Sequence, residues 1–421
     1  MSQKRVDVAN LELGMYVSEL DRPWLETSFL FQGFPILGQE ELEELRRCCD
    51  YVYVDDEMGV ALQPERVSTA PKSRPVKRFA THKVNIASSA GKQRPIRNRV
   101  KFEQELPRAR EVYHQAHDYI NTIFSQIRID RSIPLDQARQ LTEHTVESIT
   151  NNENAMLWLT LLKQKDEYTT YHSINVCVLS VLFGRHLGLS EVELKILGLG
   201  ALLHDIGKMR VPAGILNKNG RLNPEEELMM RQHPLLGDRM LATRRGVPGQ
   251  IREIVRSHHE RVDGSGYPQG LEGDELGLMP MIVSIVDVYD AMTSDRAYHE
   301  RISPHEALNM MYSWAATHFR EELLEAFIRC LGIYPVGSLV ELSSGEVALV
   351  LTVNRVHHLL PQVLLLLNRD KHPYDIPKLL NLELQRHSGV PIAITKILPS
   401  NAYGIDVRKF AAEFATGHPA R

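Results

Sequence analysis

The sequence predicts a mainly α protein: a helical bundle, preceded by a small mixed α/β domain and followed by a short β-rich appendage. Three observations carry this expectation. Helix-opening signals recur through the middle of the chain, Val- and Tyr-rich runs flank a short helix near its start, and Val/Leu-rich runs around glycine turns mark its end. With 421 residues, 43% of them apolar, there is material for a packed core. At ~150 residues per domain, that length suggests two or three domains.

Residues 1–64 form the expected mixed α/β regulatory domain. The runs Val6 to Val17 and Tyr51 to Val54 have strand composition. Between them, the run from Gly38 through Arg47 reads as a short helix with acids in its first turn. Residues 65–104 read as a basic linker, because Arg66 to Lys101 holds eleven Lys/Arg and no Asp or Glu. Prolines 71, 75 and 95 and the lack of apolar period agree with an exposed segment. The formal net charge is −4, so the remainder of the chain is distinctly acidic.

Residues 105–334 form the expected helical domain. Ser190-Glu-Val-Glu193 is a capping box, in which the serine and the glutamate each satisfy a free backbone donor of the first turn. Asn223-Pro-Glu-Glu226 and Ser303-Pro-His-Glu306 add a proline at the first helical position, where its missing N–H costs nothing. Residues 335–421 form the β-rich appendage, with strands expected at Gly337 to Leu342, Val347 to Val353 and Val363 to Leu367 around a turn at Ser343-Ser-Gly-Glu346.

Composition removes several classes of function. Four cysteines without a Cys-x-x-Cys pair exclude a disulfide scaffold and argue against a thiolate zinc site. The N-terminus has no signal-peptide core, and the longest apolar runs fall short of the ~20 residues that span a bilayer. A cytoplasmic protein without a membrane span is expected. No nucleic-acid reading motif accompanies the basic stretch, so no nucleic-acid partner is expected.

Eighteen histidines are the odd entry in the composition. Five segments concentrate them with carboxylates: Tyr168-Thr-Thr-Tyr-His172, Leu202-Leu-His204-Asp205-Ile-Gly-Lys208, Arg231-Gln-His233-Pro234, Ser257-His258-His259-Glu260 running on to Gly266-Tyr267-Pro268, and Ile285-Val-Asp287-Val-Tyr-Asp290. Steps of 25 to 32 residues match one or two helices each, so a bundle can aim one group per step at a common centre. Neighbours on a helix point about 100° apart, so His204 and Asp205 can act together only at a helix end, where Gly207 breaks the geometry. Three of these are polar intrusions at apolar helices (His204-Asp205 after one, the His258-His259 pair at a Gly-rich turn, Asp287 within one), which would be costly unless paired. A buried metal cluster explains all of them at once, and imidazole with carboxylate suits iron, manganese or zinc.

At these residues the sequence resembles the HD-GYP family of HD-domain metal-dependent phosphohydrolases. The resemblance covers about Asp166 to Tyr334 and rests on His204-Asp-Ile-Gly-Lys208 and His258-His-Glu-x-x-Asp-Gly-x-Gly-Tyr-Pro268, with Asp287 to Tyr298 similar to the helix that follows. Residues 1–64 resemble a domain often found in front of such modules. The resemblance implies an HD-type bundle that hydrolyses the bacterial second messenger cyclic di-GMP to linear pGpG and on to GMP. It implies His172, His204, Asp205, His233, His258, His259 and Asp287 as ligands to two divalent ions, iron or manganese. Asp205 and Lys208 would be catalytic, and Lys208, Arg296, Tyr267 and His299 would contact substrate. Such a pair of ions, ~3.5–4 Å apart, lowers the pKa of a bridging water and clamps the phosphate oxygens.

Two departures from the family pattern stand out. Tyr168 occupies the place of a glutamate that helps hold a third ion in some members, so two ions are expected. His299 stands where a stronger base is usual. The Gly-Tyr-Pro loop either shapes the turn after the histidine pair, or it flanks the cleft or docks a partner such as a diguanylate cyclase. A homodimer is a further expectation. The alternatives are a phosphohydrolase of another nucleotide or cyclic dinucleotide, and a module that binds the messenger or a cyclase without hydrolysis.

Overall fold

The computed structural model describes residues 3–21, 34–36, 39–55, 98–130, 133–162, 168–218, 220–294, 302–315, 317–355, 357–385, 391–408 and 410. The fold is mainly α, with a small sheet at each end of the sequence, as expected. The chain divides into two compact units, Met1–Asn85 and Ile86–Arg421. The basic stretch lies outside the described residues up to residue 97.

In the first unit, β1 (Gln3–Asp7), β2 (Tyr16–Leu20), β3 (Phe34–Pro35) and β4 (Tyr51–Asp55) form an antiparallel sheet in the order β1-β4-β2-β3. Helix α1 (Gln39–Cys48) supplies Leu42 and Leu45 to a core with Val17, Ile36, Val52 and Val54. The run Val6 to Val17 is not one strand. The Asp7 carboxylate accepts from Ala9 N–H and opens a short 3-10 turn, and Gly14 at φ 93° reverses the chain. A glycine tolerates that positive φ without a Cβ clash.

The second unit begins with two long helices, α2 (Phe102–Asp130) and α3 (Leu135–Leu159), which pack along one another. Next come α4 (Tyr168–His186) and α5 (Glu191–Leu202), the short helices α6 (Ala213–Leu216) and α7 (Pro224–Met230), and then α8 (His233–Ala242) and α9 (Gly249–Ser257). Helices α10 (Leu278–Thr293), α11 (Pro304–Ser313) and α12 (Glu321–Leu331) complete the bundle. The capping boxes read at Ser190, Asn223 and Ser303 are all formed. Trp158, Phe183 and Phe327 are among the largest fully buried side chains, with the Phe183 and Phe327 rings edge to face at 5.1 Å.

The C-terminal sheet contains β5 (Leu339–Leu342), β6 (Val347–Thr352), β7 (Gln362–Leu367), β8 (Pro373–Asn381) and β9 (Ile394–Leu398), antiparallel in the order β8-β7-β6-β5-β9. A buried ion pair fastens it to the bundle: Arg355 Nε donates to Glu153 Oε1 at 2.7 Å, one residue past the non-helical Asn152 of α3. Breaking such a pair leaves an uncompensated buried charge, so both partners are needed together.

Candidate metal centre

Five stretches of the bundle deliver the seven predicted side chains to one place. His172 comes from α4, and Asp287 from α10. His204 and Asp205 lie just past the end of α5, in the turn that enters a 3-10 helix over Ile206–Arg210. His233 opens α8, and His258 caps α9 with His259 after it. The His-Asp pair therefore sits beyond the last helical turn, where adjacent residues are free to converge. Gly207 makes the approach possible: a Cβ there would lie 1.9 Å from the carbonyl oxygen of His233 and 2.5 Å from Gly237 N.

The seven residues fall into two groups whose candidate ligand atoms lie within 4.8 Å of one another. One is Asp205 with His233, His258 and His259; the other is His172, His204 and Asp287. Asp205 faces both. Its Oδ1 is 3.2 Å from His233 Nε2 and 3.9 Å from His258 Nε2, while its Oδ2 is 3.2 Å from His204 Nε2.

The imidazoles are oriented from behind. Nδ1 of His204, His233 and His258 lies 2.8, 2.8 and 2.9 Å from the carbonyl oxygens of Ala201, Met230 and Val255. A carbonyl only accepts, so each Nδ1 carries the proton and each Nε2 turns a lone pair to the centre. His172 is held differently, with Nδ1 donating to Asp290 Oδ2 at 2.8 Å and Nε2 2.9 Å from Asp287 Oδ1. Asp290 also accepts from Asn175 Nδ2 at 3.1 Å.

These residues fit a divalent cation. His204 Nε2 and Asp205 Oδ1 are buried without a hydrogen-bond partner, a costly state that a cation would relieve. Donor chemistry agrees, since Nδ1-bonded histidines with carboxylates are the usual holders of such ions. Charge is arranged to match. Burial alone would raise the Asp205 and Asp287 carboxyls, but the surrounding histidines, with Lys208 beside Asp205, hold both well below the usual carboxylate range. Burial pushes His259 down to about 3 against the pull of Asp287, and pushes His258 well below its ordinary value. Both rings are therefore neutral and able to donate a lone pair.

The remaining predicted residues are placed less uniformly. Lys208 is mostly covered rather than solvated, and its Nζ donates to Asp205 Oδ2 at 2.5 Å. The Tyr267 ring lies against the His259 ring at 4.8 Å, with the Arg231 guanidinium 5.3 Å from its centroid. Arg296 and His299, together with Asp166 and Glu167, lie outside the described residues, as does the side chain of Tyr168.

Three contributors had no role in the sequence reading, although Asp290 and Glu260 lie in its segments. Asp290 carries a signal in hindsight, because it follows Asp287 by three residues and so shares its helical face. Asn175 stands in the same relation to His172 on α4. Glu260, buried, accepts from the backbone N–H groups of Gln269 at 2.7 Å and Leu271 at 3.1 Å and so pins the Gly-Tyr-Pro loop. Gly266 completes that turn, since a Cβ there would lie 2.4 Å from Arg261 N.

Residues 157–323 match the HD domain family, and residues 3–138 match a domain of unknown function, DUF3391. A cyclic di-GMP phosphodiesterase of Pseudomonas aeruginosa is 37% identical over 86% of this chain and 84% of its own length. The chain belongs to the HD-GYP family. Among other relatives, a 3'3'-cGAMP-specific phosphodiesterase of Vibrio cholerae is 39% identical over 37% of this chain and 36% of its own. An HD-GYP-type protein of Bdellovibrio bacteriovorus, known structurally, aligns over 77% of this chain and 98% of its own at 15% identity and a TM-score of 0.43. As in the HD-GYP signature, the histidine pair and the Gly-Tyr-Pro turn lie in one continuous loop, and here Tyr267 N–H donates to the carbonyl oxygen of His259 at 3.1 Å. Among the described residues no helix is long and apolar enough to cross a membrane.

Proposed function

We propose that this HD-GYP protein is a cytoplasmic phosphodiesterase that hydrolyses cyclic di-GMP to linear pGpG and on to GMP. The observation that carries the reading is the position of Asp205 between two adjacent ligand groups: it belongs to one of them, and its second oxygen faces His204 of the other. His233, His258, His259 and Asp205 would hold one divalent ion, and His172, His204, Asp287 and Asp205 a second, with iron or manganese suited to this donor set. Such ions supply Lewis acidity at the phosphodiester and an activated water near neutral pH.

The chain's own residues would do the rest. Asp205 fixes the spacing of the two groups. Lys208, already at the centre, is positioned to offset negative charge that develops on phosphoryl oxygens. Arg296 would grip a phosphate, and His299 would do so when protonated. Tyr267, beside His259, would border the nucleotide. A diguanylate cyclase docking on the Gly-Tyr-Pro loop and a homodimer belong to the same proposal.

The Vibrio cholerae relative named for 3'3'-cGAMP makes that dinucleotide the competing substrate. The test is anaerobic purification, metal per chain, and product analysis with cyclic di-GMP, 3'3'-cGAMP and Asp205→Ala. The expected result is two ions per chain, pGpG formation that outpaces cleavage of the hybrid dinucleotide, and loss of both metal and turnover in the variant. Metal-loaded protein that binds cyclic di-GMP and releases no linear product would reject hydrolysis and leave a binding module.

A further inference from the structure

We propose that Tyr113 on α2 is a positioning residue for the metal centre, acting on His172 through Asn175 and Asp290. The inference rests on the metal-centre reading above and extends it to a helix that supplies no ligand. The chain of contacts is continuous and buried. The Tyr113 hydroxyl donates to Asn175 Oδ1 at 2.8 Å, Asn175 Nδ2 donates to Asp290 Oδ1 at 3.1 Å, and Asp290 Oδ2 accepts from His172 Nδ1 at 2.8 Å. Asn175 and Asp290 are both 0% exposed, and Tyr113 is 3% exposed.

The polarity of this chain is fixed by chemistry. His172 must donate from Nδ1 if Nε2 is to face a cation, so Asp290 must accept there. Asn175 must then turn its amide nitrogen to Asp290, which leaves Oδ1 to be satisfied by a donor. The Tyr113 hydroxyl is that donor. Asp290 and the Thr160 carbonyl, 3.4 Å from Nδ2, set the orientation of the amide; without the Tyr113 hydroxyl its Oδ1 loses this donor, and the carboxylate that holds His172 is less firmly fixed.

A second set of contacts makes α2 more than a passive neighbour. Tyr113, His117 and Asn121 recur every fourth residue and so share one helical face. Tyr113 stacks on Tyr171 at 6.2 Å, His117 lies 4.9 Å from the same ring, and Asn121 Oδ1 accepts from Thr170 Oγ1 at 2.6 Å. One face of α2 thus engages Thr170, Tyr171 and Asn175 on α4, around the turn that presents His172. Helix α2 lies inside residues 3–138, the span matched by the domain of unknown function. That family segment would therefore set part of the metal affinity of the HD domain.

The test is Mn²⁺ affinity of the full-length protein, measured by competition with a chromophoric chelator, for wild type, Tyr113→Phe and Tyr119→Phe. Tyr119 is the control, a buried tyrosine of α2 whose hydroxyl donates to the carbonyl oxygen of Pro134 instead. Changes to outer partners of metal-bound histidines weaken binding by about 10–100-fold. Tyr113→Phe, one bond further out, is expected to lie near the tenfold end while Tyr119→Phe stays at the wild-type value. In an Asn175→Ala background, Tyr113→Phe is expected to add nothing further. Unchanged affinity in Tyr113→Phe, or equal losses in both tyrosine variants, would overturn the inference. Wild-type protein that takes up no Mn²⁺ is a separate result, which overturns the metal-centre reading and this inference with it.

Discussion

Lys208 Nζ lies 2.5 Å from Oδ2 of Asp205, the carboxylate oxygen that also faces His204 Nε2 at 3.2 Å. The lysine is one turn past Asp205 in the 3-10 helix and is 24% exposed at its side chain. On the proposed reading it stands where a phosphodiester would acquire charge. Lys208→Met is expected to retain its metal and to lower kcat for cyclic di-GMP by on the order of 10²-fold. Metal analysis and steady-state kinetics on the same preparation check both halves. A large fall in metal content would show that the lysine instead supports ligand geometry.

Metal uptake is expected to compete with a proton on His172. Burial disfavours the imidazolium, but hydrogen bonds to Asp287 and Asp290 outweigh it and raise this histidine to about 9. A raised folded value stabilises the metal-free protein fully below the unfolded histidine pKa of ~6.5, and that contribution disappears as pH rises through about 9. The contribution is on the order of 3 kcal/mol. Metal-free protein should therefore lose thermal stability between pH 7 and 9, while apparent metal affinity climbs over the same window. Calorimetry in two buffers of different ionisation enthalpy should show about one proton released per chain at pH 7.5.

Gly207→Ala is expected to damage the site through packing alone. Its Cβ would sit 1.9 Å from the His233 carbonyl oxygen, so α8 or the 3-10 turn must move. Overpacking of this kind costs about 1–3 kcal/mol. The variant should fold with a lowered Tm and bind metal weakly, since His233 and Asp205 separate. Wild-type metal affinity with a lowered Tm would show that the turn relaxes without disturbing the ligands.

Glu260→Gln addresses the loop. The carboxylate accepts from two backbone N–H groups, and the amide can accept at only one of its two atoms. Losing a hydrogen bond to a charged group costs about 1.5–3 kcal/mol. The expected effect is a raised KM for cyclic di-GMP with metal content unchanged, because Tyr267 is carried on that loop. Equal KM values would remove Tyr267 from the substrate's surroundings.

The bundle and much of the site were legible because His204-Asp205 follow an apolar helix, His258-His259 enter a Gly-rich turn and Asp287 interrupts an apolar helix. His233, which opens α8 after the polar α7, was legible from spacing and resemblance. The capping boxes were legible because their residues are local and nearly unambiguous. Tyr113 and Asn175 were not, since a tyrosine on an amphipathic helix reads as core and its hydroxyl partner lies 62 positions away. Strands β8 and β9 also escaped. Strand β8 is an edge strand with two prolines and no clean alternation of buried and exposed residues, which blurs the period-two signal. The split of Val6 to Val17 depended on Gly14 and on one carboxylate-to-backbone bond, both easily passed over within a Val-rich run.

Four of the site's five imidazoles rest on different supports, with a consequence for how the site can vary. His204, His233 and His258 lean on main-chain carbonyls, which no substitution deletes. His172 leans on a side chain, which a single codon change can alter. Among these four, inherited adjustment through outer contacts therefore has one open door and three closed ones. A bacterium retuning the protein to a scarcer or more abundant ion would find its graded variants around Asp290, while changes at the other three would leave the tautomers as they are.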